Sequence, residues 1–155
     1  MDGFSRIAEQ EVNVNSAQAF VAMWFNESTD RASERGIEPA VEAAGFKPYR
    51  VDREHSLEKI DDRIIAEIRR SRFLVADMTH GQDGARGSVY FEAGFALGLP
   101  IPVIFTCRND MFNQLHFDTR QYPHIGWSEG EMDQFRGELE YRIRALIGAG
   151  PNSQD

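Results

Sequence analysis

A chain of 155 residues is long enough to bury a core of its own and short enough to read as one domain. Its composition, 41% hydrophobic and 27% charged, is that of a globular protein. The formal charge of −8 excludes a general affinity for nucleic-acid backbone, which needs basic surface, but leaves room for a small anionic ligand held by a local cluster.

No run approaches the ~20 apolar residues of a membrane span, and the N-terminus lacks a signal-peptide pattern. The single cysteine, Cys107, rules out an internal disulfide, so a cytoplasmic setting is expected. Residues 1–16 and 149–155 read as polar tails around one domain, 17–148, with no internal repeat and no low-complexity linker.

In chain order, Ala19 to Phe25 is an apolar run without alternation, as in a strand buried on both faces. Asn26 to Asp30 breaks it with loop and N-cap chemistry. A helix follows, with Ile37, Ala40, Val41 and Ala44 at helical spacing and Gly45 just past its end. Pro39 lies inside that pattern, so a kink or a late start near Gly36 is expected. Phe46 to Val51 is the second strand.

Ser56 is placed to cap the next helix, whose apolar face is Leu57, Ile60, Ile64 and Ile68. The third strand is Arg72 to Asp77, and the polar loop Thr79 to Arg86 follows. Ser88 to Leu99 reads as a buried helix with one ionisable group, Glu92, in its first turn. Ile101 to Thr106 is the fourth strand, and Cys107 to Arg120 a longer connection. Tyr122 to Trp127 is a short fifth strand. The last helix turns Met132, Phe135, Leu139, Ile143, Leu146 and Ile147 inward.

Strands alternating with helices predict a three-layer α/β domain with right-handed crossovers. The expected sheet is five-stranded, mainly parallel and flavodoxin-like, in the order 2-1-3-4-5. Its switch point lies between strands one and three, where ligands bind beyond the carboxyl ends of the strands. Trp24, Phe25, Asp52, Asp77, Thr79, Arg86, Ser88 and Glu92 gather there, a set suited to a flat ring with a polyhydroxylated part: a nucleoside or nucleotide.

Each has a plainer reading. Trp24 and Phe25 also fit a core, Asp77 a turn cap, Glu92 a helix-dipole partner, and His55 and His80 solvent-facing loops. No His/Cys spacing resembles a zinc site, and Gly81, Gly84 and Gly87 match neither nucleotide-binding glycine fingerprint.

Four segments together resemble the nucleoside 2-deoxyribosyltransferase-like superfamily, which includes nucleotide N-glycosidases and is similar in fold to TIR domains. They are Phe20-Val21-Ala22-Met23-Trp24-Phe25, Gly36-Ile37-Glu38-Pro39-Ala40, Val75-Ala76-Asp77-Met78-Thr79 and Tyr90-Phe91-Glu92-Ala93-Gly94-Phe95-Ala96-Leu97-Gly98. The likeness covers roughly residues 18–147, and its specific part is Glu-x-Gly-x-Ala after a strand ending in Asp.

The resemblance implies that Glu92 attacks the anomeric carbon, that Asp77 holds or protonates the substrate, and that the protein forms a homodimer. The unassigned segment Cys107 to Arg120 is then a candidate subunit contact. Transferases of the superfamily place an aspartate six residues before the glutamate, and monophosphate hydrolases tend to have a serine. This chain has Arg86 there and Ser88 four residues before Glu92. Arg86 suits either a phosphate, which guanidinium pairs bidentately, or a surface loop.

The implied reaction is cleavage, by hydrolysis or transfer, of the N-glycosidic bond of a nucleoside, nucleotide or NAD-like molecule. A carboxylate stabilises or traps the positive charge that builds at the anomeric carbon, and no metal or organic cofactor is required. The alternative is a non-catalytic TIR-like module that binds a nucleotide or another protein.

Overall fold

The computed structural model describes residues 12–51, 61–81, 87–115 and 121–153. Five parallel strands form one sheet: β1 (Gln18–Ala22), β2 (Lys47–Arg50), β3 (Phe73–Asp77), β4 (Val103–Arg108) and β5 (His124–Trp127). Their order is β2-β1-β3-β4-β5, the flavodoxin-like arrangement that the strand–helix alternation predicts. β3 sits centrally because Phe73-Leu74-Val75-Ala76 is apolar on both faces, and every residue of the strand is buried.

Strand parity divides the core in two. Phe73 and Val75 of β3 pack with Ile37, Trp127, Phe135, Leu139 and Ile143 on one face. Leu74, Ala76 and Met78 pack with Ile64, Ile68, Val89, Ala93 and Ala96 on the other. The first face is covered by α1 (Glu27–Ala32), the π-helical turn Ser33–Ile37, α2 (Glu38–Ala43) and α5 (Met132–Leu146). The second is covered by α3 (Asp62–Arg69), α4 (Gly87–Gly98) and the 3₁₀ segment Asn109–Gln114.

Several local expectations are corrected. The first helical stretch starts at Glu27, not near Gly36, because the Asn26 side chain accepts from Ser28 N–H and caps it. Pro39 is absorbed by the π turn ahead of it, where Glu38 N–H donates to Ser33 O. The loosened turn makes room for a ring that would otherwise press on the preceding carbonyls.

Asp61 is extended and caps α3 by accepting from Ile64 N–H, so the helix begins at Asp62; Ser56, Leu57 and Ile60 lie outside the described residues. β4 runs on to Arg108, so Cys107 is a buried strand residue rather than the start of a loop. Leu146 is exposed instead of facing inward.

α4 is not buried all round. Val89, Glu92, Ala93 and Ala96 face the protein, whereas Phe91, Gly94, Leu97 and Gly98 are exposed. Beyond α5 the chain docks back on the α2–β2 turn, where Gly150 N–H donates to Ala44 O and Asn152 N–H to Gly45 O. Gly45 has φ +96°, a left-handed conformation that suits a residue without a Cβ.

Candidate active site at the carboxyl ends of the strands

β1 and β3 end side by side at the switch point, with Ala22 paired to Ala76. β1 stops at Ala22, which leaves Trp24 and Phe25 half-buried in the connection to α1. Thr29 Oγ donates to Trp24 O at 2.6 Å and holds that connection.

Arg50, at the end of β2, lays its guanidinium 4.2 Å from the Phe25 ring centre. It also donates to Ser33 Oγ at 3.0 Å and pairs with Asp30 at 3.3 Å. A cation on an aromatic face is worth about 0.5–2 kcal/mol according to its burial, so Arg50 fixes the ring plane. Nothing in the sequence paired Arg50 with Phe25, because the contact depends on β2 lying beside β1.

Asp77 is fully buried. Its Oδ1 accepts from Thr79 N–H at 3.1 Å, and its Oδ2 from Thr106 Oγ at 2.6 Å and Trp127 Nε1 at 2.8 Å. Burial pushes its pKa above the ordinary carboxylate range, against the pull of these donors from Thr106, Thr79 and Trp127. Thr79 Oγ in turn accepts from Arg108 N–H at 2.9 Å. The network ties the ends of β3, β4 and β5 together.

Trp127 belongs to the α5-side core, so Asp77 points into that layer and α4 lies across the sheet. Strand parity thus turns Asp77 toward the layer of Trp127, whereas the inner face of the helix that carries Glu92 packs on the other side of the sheet. Thr106 and Trp127 were not singled out from the sequence. A two-residue strand period could flag them as inward, but only the β3–β4–β5 order joins them to Asp77.

Glu92 is fully buried and lies in the second turn of α4, not the first. The helix-dipole effect fades beyond the first turn, which removes the plainer reading of this residue. Ser88, one turn earlier, is half-buried. Asp52 and Arg86 lie outside the described residues, as does His55.

His80 is only 5% exposed, contrary to a solvent-facing loop, and its Nδ1 lies 2.8 Å from Gly81 O. Burial pushes the Cys107 thiol up to about 12, so it is not a ready nucleophile. Among the described residues no group of three or more His, Cys, Asp and Glu side chains could hold a metal ion. None of their helices is long and apolar enough to cross a membrane.

A polar crevice of about 710 Å³ opens at the ends of β4 and β5, lined by Arg108, Asn109, Asp110, Ser128 and Glu129.

Comparison with known proteins returns the fold. No protein-family model matches the chain. No curated protein matches it either. Among solved structures, the chain is similar to the rubredoxin oxygen:oxidoreductase of Desulfovibrio gigas, with a TM-score of 0.57 and 12% identity over 96% of this chain. It spans 39% of that protein's length. It is also similar to a conserved protein from Enterococcus faecalis V583, with a TM-score of 0.51 and 16% identity, covering 82% of this chain and 99% of that one. At these identities the likeness concerns the flavodoxin-like sheet and its layers.

Proposed function

We propose that this protein breaks the N-glycosidic bond of a nucleoside, nucleotide or NAD-like molecule, with Glu92 acting at the anomeric carbon. The observation that carries the reading is the fully buried carboxylate of Glu92 on an otherwise uncharged helix. Burying an ionisable group is costly enough that such groups concentrate where chemistry needs them. The helix follows the central strand, and the half-buried rings of Trp24 and Phe25 stand at the end of the neighbouring one.

The chemistry follows from charge. As the base departs, the anomeric carbon becomes cationic, and a carboxylate at that carbon stabilises the charge or traps it covalently. Trp24 or Phe25 stacks on the base. Asp77 serves as a frame beneath the crevice, keeping Thr79 and the ends of β4 and β5 in place. Water completes hydrolysis, and a second base completes transfer.

The second reading, a non-catalytic nucleotide- or protein-binding module of TIR-like fold, draws support from the commitment of Asp77 to internal hydrogen bonds. One experiment separates the two. Purified protein is incubated with a panel of nucleosides, nucleotides and NAD, and free base is measured by chromatography. Glu92→Gln keeps the shape and removes the charge, so base release should fall at least ~100-fold while ligand affinity changes far less. Unchanged turnover in Glu92→Gln would sink the catalytic reading.

A further inference from the structure

Three ionisable side chains other than the cysteine are buried among the described residues: Asp77, His80 and Glu92. All three fall between the end of β3 and the helix that follows it. Asp77 is engaged by Thr79, Thr106 and Trp127, and Glu92 carries the proposed chemistry. His80 has one ring nitrogen accounted for and one not. A carbonyl only accepts, so Nδ1, 2.8 Å from Gly81 O, holds the proton, and the neutral ring keeps a bare lone pair on Nε2. Nε2 is buried without a hydrogen-bond partner. An acceptor left unpaired in the interior is destabilising, so its retention points to a donor that arrives with the reaction.

Strand alternation sets which way His80 faces. Met78 lines a cavity of about 120 Å³ with Tyr90, Ala93 and Gly94, so it faces α4. The β3–β4 ladder continues past Asp77, with Met78 N–H donating to Thr106 O, and the chain then runs to Gly81 without a turn. His80, two residues on, falls on the same side as Met78, about 7 Å nearer the N-terminal end of α4. On that helix Glu92 stands about 200° around from Tyr90, which shares the cavity with Phe105 and Tyr122 on the β4–β5 side. Glu92 is therefore turned toward β1 and the switch point, in the layer that His80 occupies.

We infer that His80 is the base that activates water at the anomeric carbon, an inference that rests on the N-glycosidase reading of Glu92. Departure of the nucleobase or nicotinamide joins the sugar to Glu92 through a C1′–Oε bond. Water then attacks C1′. The new C1′–O bond forms as the C1′–Oε bond breaks, its electron pair returns to the carboxylate, and one water proton passes to Nε2. The imidazolium gives that proton to solvent as the sugar leaves. Asp77 is unsuited to this step, because its oxygens are taken by three donors in the opposite layer. The Nδ1 contact with Gly81 O fixes the tautomer that presents Nε2 as an acceptor.

Release of free base by the full chain is measured with NAD, deoxyadenosine and deoxyadenosine monophosphate as probes. His80→Asn is the informative variant, since its amide can still donate to Gly81 O while Nε2 is gone. It should release base in a burst equal to the amount of protein, then turn over at least ~100-fold more slowly than wild type. Azide, an anion with no proton to lose, should restore turnover and give the glycosyl azide. Glu92→Gln should show no burst, which separates the two roles. A wild type that releases base from none of the probes removes the N-glycosidase reading and this inference with it. An active wild type whose turnover survives His80→Asn, or falls without a burst or azide rescue, overturns the inference alone. Nitrogen NMR of the wild-type imidazole should find Nδ1 protonated and Nε2 bare. The opposite tautomer overturns the inference whether or not the variant folds.

Discussion

Asp77 is a buried carboxylate with three donors, and the balance between burial and hydrogen bonding sets how it titrates. Burial prevails and holds its folded pKa above the unfolded one. A raised folded pKa means stability that is present in full below the unfolded value and is lost as pH rises through the folded value. The difference in unfolding free energy, wild type minus Asp77→Asn, should therefore decline as pH rises above the unfolded carboxylate value of about 4. Urea unfolding across that range measures it. A difference that grows with pH would mean that the donors outweigh burial.

Sequence spacing found Asp77 and Glu92 as the carboxylates to watch, but treated them as a pair. Their separation onto two faces follows from strand parity and from Trp127, fifty residues away in the chain, arriving beside Asp77. Arg50 was passed over, and His80 was read as solvent-facing, for the same reason. A residue's burial and partners at a strand end depend on which strand lies next to it.

Among the elements, the first helical stretch shows most clearly how local rules and packing divide the work. Asn26 caps it and the π turn accommodates Pro39, both local matters. Gly36 answers instead to α5: a Cβ there would lie 2.5 Å from the Phe135 ring, which is itself fully buried. Gly36→Ala gains up to ~1 kcal/mol of helix propensity but overpacks the core at about 1–3 kcal/mol. Net destabilisation of about 1 kcal/mol is expected, visible as a lowered melting temperature. A rise would show that α5 yields without strain.

α3 offers a simpler test. Asp61→Ala removes the side chain that accepts from Ile64 N–H, and should cost about 1 kcal/mol. The same measurement decides whether α3 starts at Asp62 or draws on residues before it. Only in the former case does losing that cap matter.

For the molecule as a whole, net charge opposes the burial of apolar surface. A chain of −8 repels itself in the folded state, and salt screens that repulsion. Raising sodium chloride from about 50 to 500 mM should then raise the melting temperature, as read by circular dichroism. A fold held mainly by surface ion pairs would melt lower instead.

What the amino-acid sequence determined by itself was the architecture. Apolar runs of strand length alternating with helical periodicity admit few layouts, and right-handed crossovers reduce these to the observed order β2-β1-β3-β4-β5. It also marked Glu92 as the single ionisable residue in an apolar helix. Tertiary structure alone decided which side chains share a face, because strand parity and neighbour order are not written in local spacing. It joined Asp77 to Thr106 and Trp127 and laid Arg50 on Phe25. It also left the glycine face of α4 open, since hydrophobic pattern specifies that a helix must bury a surface but not whether its own chain or another will cover it.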